Sequence, residues 1–133
     1  MLTSNFSIMS KHPNAVSIAL TDPYFYKGIR YSILAPPRDL LSAYKLGTVT
    51  EEEYTKIYTE RVLDRLDPRI VYQDLGPHAV LLCHCSAKPN VFCHRHLVSA
   101  WLRKTLGVSI YEYSSIGKDK HVQIDLSMNH VEQ

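Results

Sequence analysis

Short continuous apolar runs alternate along the chain with longer stretches of helical spacing. Ala15 to Leu20 and Ala79 to Cys83 are unbroken apolar runs, bounded by Thr21-Asp22-Pro23 after the first and Gly76-Pro77 before the second. Runs this short predict strands buried on both faces, as in parallel sheets flanked by helices. Val108 to Tyr113 predicts a further strand and His121 to Leu126 a last one at the sheet edge. Helices fill the gaps. Pro37 suits the start of one over Arg38 to Lys45, closed by Gly47. Thr50 with Glu53 three residues on is a capping box, opening a helix with Tyr54, Ile57, Tyr58, Val62 and Leu66 on one face. Asp67-Pro68 ends it, and Arg69 to Leu75 predicts another short helix. Leu97, Val98, Trp101, Leu102 and Leu106 share one side of a helix expected to begin at Val91 or Phe92 and to stop at Gly107. Met1 to Asn14 is polar and reads as a loose lead-in, with room for one short strand over Phe6 to Met9.

The order strand, helices, strand, helix, strand predicts a small three-layer, Rossmann-like α/β domain with a short, mostly parallel sheet. The 133 residues suit a single domain with its core over about residues 15–126. At 45% hydrophobic and 21% charged, the chain is expected to fold rather than stay disordered. A net charge of +2 gives nucleic-acid binding no support. There is no charged-then-apolar leader and no apolar stretch approaching the ~20 residues of a membrane span, so no membrane partner is expected. Three cysteines without an export signal point to a reducing cytoplasm and no structural disulfide. The helix-rich insert between the first two strands is long enough to cover a site as a partial lid.

Chemistry-bearing residues concentrate in one place. Cys83, His84, Cys85, Cys93, His94 and Arg95 fall within a strand end, a turn and a helix start. Backbone N–H groups in the first turn of a helix lack partners and lie at the positive end of its dipole. An anion is stabilised there, and Arg95 could grip it bidentately. A thiol there is expected to titrate low, which makes Cys93 a candidate nucleophile and His94 a candidate acid or base. Cys83 and Cys85 are candidate ligand contacts from the strand end. Lys88, in the turn, is a candidate anion contact, set against an ordinary solvated turn lysine. Tyr24 opens an aromatic, basic loop that leaves a strand end on the same face and is the outlying candidate; packing at the domain edge is its alternative.

Cys83, Cys85, Cys93 and His94 also have the residue types of a zinc tetrahedron. Cysteines two apart in an extended segment point the same way. Against this, Cys93 and His94 would diverge by ~100° if both were helical. The expectation is therefore no metal and no cofactor.

Residues Leu81 to Leu102, with Phe92-Cys93-His94-Arg95 at their centre, resemble the signature of the uncharacterised family catalogued as domain of unknown function 488. Leu34-Ala35-Pro36, Tyr44-Lys45 and the Tyr54/Tyr58 pair are similar to that family's helical part, and the likeness runs over about Ala15 to Glu112. The resemblance implies an α/β fold and a site at the Cys-His-Arg turn, and sets Glu112 in the place of the family's late glutamate. The family usually has a glutamate where this chain has Cys85, which leaves Glu112 or a histidine as the general base of any reaction. The family carries no settled activity. The expected function is binding or processing of a nucleotide-like or other phosphate-bearing small molecule. The alternatives are a non-catalytic sequestering or protein-interaction module and a zinc-binding protein.

Overall fold

A computed structural model describes residues 1–85, 91–113 and the backbone of 121–122. The sheet has strands β1 (Leu2–Asn5), β2 (Ala15–Ser17), β3 (Ile29–Arg30), β4 (Val80–Cys83), β5 (Tyr111–Tyr113) and β6 (His121–Val122), in the order β3-β2-β4-β1-β5-β6. The first five in that order are parallel, and β6 pairs antiparallel to β5 at the edge. The helices are α1 (Phe6–Met9), α2 (Arg38–Lys45), α3 (Glu51–Arg61), α4 (Pro68–Leu75) and α5 (His94–Leu106). This is an α/β domain built on a parallel sheet. No described helix is long and apolar enough to cross a membrane.

The apolar runs behave as their pattern dictates. Every residue of β2 and β4 is buried. One face of the sheet, through Val16 and Leu81, meets a large core with Leu40, Tyr54, Tyr58, Val71, Val98 and Leu102. Val80 and Leu82 belong to a smaller core with Phe6 and Tyr26, so the second layer is thin: the single turn of α1 and the aromatic loop. The Thr50–Glu53 capping box forms in full at the start of α3. That helix ends at Arg61, earlier than its apolar stripe suggests, and a 3-10 turn over Leu63–Arg65 carries the chain on.

Two expectations are corrected. The supposed lead-in contains a central strand: β1 lies between β4 and β5, and residues 6–9 are helical rather than extended. The core therefore begins at Leu2 rather than Ala15. Thr3, Ser4 and Asn5 are buried, and each polar side chain has a partner. Thr3 donates to Glu112, Ser4 donates to the Tyr113 carbonyl, and Asn5 accepts from the Ile8 N–H as the cap of α1. Polarity here marks a satisfied interior, not a solvent loop. The second correction concerns α5, which starts at His94, with Cys93 as an extended N-cap (φ −160°, ψ 147°). Of the last expected strand, residues 123–126 lie outside the described residues, as does the turn over 86–90.

Candidate functional site at the carboxyl ends of β2 and β4

β4 delivers Cys83 to the carboxyl edge of the sheet, and α5 starts against it with Cys93, His94 and Arg95. The Sγ atoms of Cys83 and Cys93 are 2.7 Å apart, and Cys93 Sγ is 3.8 Å from His94 Nδ1. All three cysteines are free, with Cys83 and Cys93 buried and Cys85 half-buried. Cys85, two residues beyond Cys83, lines the same cavity as Cys83 and His94. His94 Nε2 lies 2.7 Å from the Ile18 carbonyl oxygen. A carbonyl only accepts, so Nε2 carries the proton and Nδ1 keeps its lone pair toward Cys93.

Arg95 is fully buried. Its Nη2 donates to Glu112 Oε2 at 2.7 Å and its Nε to Oε1 at 3.1 Å, while Thr3 donates to Oε1 at 2.6 Å. Nη1 reaches Cys83 Sγ at 2.8 Å and the Cys85 carbonyl at 3.4 Å. Burial opposes the Arg95 charge, but Cys83 and Glu112 outweigh it and hold the guanidinium above its usual range. Expected to grip a ligand anion, Arg95 instead has its forked face on Glu112, and joins β1, β4, β5 and α5 into one polar chain.

The thiols do not titrate as the helix start suggests. Burial, followed by the neighbouring Cys83, pushes the Cys93 thiol well up, against the pull of Arg95. Burial raises Cys83 to about 11. For Cys85, the nearby Cys83 works downward, but Cys93 and burial bring it up to about 11. Burial lowers His94 to about 4, so its ring is neutral near pH 7. The expected low-titrating Cys93 thiolate is thus reversed, because the residue is enclosed before it can profit from the dipole.

A cavity of about 100 Å³ opens beside this cluster. The β2 loop lines it with Ala19, Leu20 and Thr21, α2 and its lead-in with Pro36, Leu41 and Lys45, the β4 end with Cys83, His84 and Cys85, and the start of α5 with His94. His84 Nε2 bonds the Thr21 carbonyl at 2.6 Å, tying the β4 loop to the β2 loop. Tyr24 does not line this cavity; it is 91% exposed, with its ring edge-on to Phe25. Lys88 lies outside the described residues. The helical insert does reach the site, since α2 forms one wall.

Sequence reasoning missed Thr3, Lys45 and the Ile18 carbonyl. The signal for Thr3 was a run of small polar residues too short to register as a strand. For Lys45 it was position in the last turn of α2, which reads equally as dipole pairing. The site and fold define a small parallel α/β domain with a buried cysteine–histidine cluster at the carboxyl edge of its sheet. No family model, curated protein or solved structure matches the chain.

Proposed function

We propose that the domain binds the phosphate-bearing end of a small anionic, nucleotide-like molecule in the cavity between the β2 and β4 loops. The observation that carries this reading is the cavity's position. From β2 the chain goes on to β3 on one side, and from β4 it goes on to β5 on the other. Ligands of open α/β sheets bind in the crevice at such a reversal, outside the carboxyl ends of the strands. Lys45 supplies a cation to the wall, and the N-terminus of α5 opens at His94. The cavity suits a phosphate-sized group rather than a whole nucleotide, since a drug-sized ligand needs ~300 Å³ or more. Binding, not thiol chemistry, is the better-supported activity, because Cys83 and Cys93 are buried. The family resemblance of the Cys-His-Arg turn supports the same location and adds no reaction. Three free thiols suit a reducing compartment such as the cytoplasm.

Thermal unfolding with inorganic phosphate, a nucleoside monophosphate and the bare nucleoside tests the reading. The two phosphate-bearing probes should raise the melting temperature and the nucleoside should not. Lys45→Ala should remove the effect, while Lys56→Ala, on the exposed side of α3, should keep it. Equal stabilisation by the nucleoside, or undiminished stabilisation in Lys45→Ala, would overturn it.

A further inference from the structure

We infer that Cys83, Cys85, Cys93 and His94 form a site for one thiophilic divalent cation, zinc by its donor set. The ligating atoms of Cys83, Cys93 and His94 all lie within 4.8 Å of one another, and all three residues are buried. Zinc–sulfur bonds of ~2.3 Å and a zinc–nitrogen bond of ~2.1 Å imply tetrahedral edges of about 3.5–3.8 Å. The 3.8 Å separation of Cys93 Sγ and His94 Nδ1 already matches such an edge. The two sulfurs at 2.7 Å need only part by about 1 Å.

The objection that neighbouring residues on a helix diverge does not apply. Cys93 is extended and His94 is the first helical residue, so the chain bends between them and brings sulfur and imidazole together. The histidine is also in the required form. Its Nε2–H is committed to the Ile18 carbonyl, as the second ring nitrogen of metal-bound histidines usually is, and Nδ1 presents a lone pair to the thiols. Cys85, two residues beyond Cys83, half-buried and lining the same cavity as Cys83 and His94, supplies the fourth ligand from the cavity side.

The surroundings fit the charge. Three thiolates around a dication leave one negative charge, and Arg95 Nη1 donates to Cys83 Sγ from a guanidinium held by Glu112, whose carboxylate also accepts from Thr3. A Cys83–Cys93 disulfide is the competing use of the same sulfurs. It has no need of an imidazole lone pair aimed at Cys93, nor of a guanidinium N–H on Cys83. The metal reading uses both. It does not depend on the anion reading, and is measured without phosphate.

The test uses the full chain, stripped of metal with a chelator under reducing conditions and then titrated with zinc or cobalt(II). One metal should remain bound per chain after dialysis. The cobalt form should show thiolate charge-transfer bands and the strong visible bands of tetrahedral coordination. Cys93→Ser should lose the metal, Cys85→Ser should hold it more weakly, and Lys45→Ala should bind it like the parent. The parent cobalt spectrum decides the matter even if Cys93→Ser fails to fold. Failure of the folded parent to retain metal, a spectrum without thiolate bands, or a Cys83–Cys93 disulfide persisting in reductant would overturn the proposal.

Discussion

Replacing Glu112 with Gln tests how the site is held together. Glu112 Oε1 accepts from Thr3 and from Arg95 Nε, and Oε2 accepts from Arg95 Nη2; the ion pair is wholly buried. Glutamine keeps the shape but removes the charge, and whichever way its amide turns, an NH₂ faces a donor. Removing one partner of a buried pair leaves the other charge uncompensated, at a cost of ~3–5 kcal/mol. That is a large part of the ~5–15 kcal/mol that holds a domain folded. With a urea slope of about 2 kcal/mol per molar, the unfolding midpoint should fall by on the order of 2 M. The double variant Arg95→Met/Glu112→Leu should be less destabilised than Glu112→Gln, since no charge is left buried alone. Asp39→Asn, which breaks the exposed Asp39–Arg61 pair, should leave the midpoint unchanged. A loss below ~1 kcal/mol for Glu112→Gln would mean that water reaches the pair, and the polar chain would not be what holds the site together.

Other expectations follow from single features. Iodoacetamide should label Cys85 before Cys83 and Cys93 in the folded, metal-free protein, because of the three only Cys85 is half-exposed; labelling of Cys93 first, read by peptide mass spectrometry, would refute the burial argument. Tyr58→Phe removes the buried hydroxyl that donates to the Leu34 carbonyl at 2.6 Å and should lower stability by ~1–2 kcal/mol in urea unfolding. Gly28→Ala would put a Cβ 2.5 Å from the Tyr26 hydroxyl, which lies 2.5 Å from the Ile29 carbonyl, and should cost ~1–3 kcal/mol in the same assay. His96 is buried with neither ring nitrogen hydrogen-bonded, and burial, then Arg95, Arg103 and His94, lower it to about 3. Its folded value lies below its unfolded one, so the unfolded state takes up the proton first. Stability should therefore fall as pH drops from about 6.5 toward 3, by up to ~4 kcal/mol, and His96→Leu should flatten that slope in urea titrations at pH 7 and 5.

Much of the fold was legible because its signals are local. The Thr50–Glu53 box, the Pro37 entry to α2, the Gly107 stop of α5 and the apolar run of β4 each depend on a few adjacent residues, and each forms as its pattern dictates. β1 was not legible, because its evidence is non-local. Thr3 and Ser4 read as loop residues until Glu112 and Tyr113, 109 positions away, supply their partners. A polar residue in the sequence does not announce whether its hydrogen bonds will go to water or to a distant strand.

The same limit explains the site. Sequence proximity pointed to the Cys-His-Arg turn as the place of any chemistry, and the structure brings Cys83, Cys93 and His94 within contact there. The roles inside the turn depend on one backbone choice that composition does not encode. With α5 starting at Phe92, Cys93 and His94 would diverge and Arg95 would face the dipole's anion site. With α5 starting at His94, Cys93 folds back onto Cys83, His94 turns its lone pair toward the sulfurs, and Arg95 passes beneath them to Glu112. A shift of two residues in a helix start thus moves the arginine from ligand to framework and makes the thiols a cluster. Glu112 is satisfied by this start: a buried carboxylate on β5 needs a cation, and Arg95, the second residue of a helix that begins at His94, supplies it.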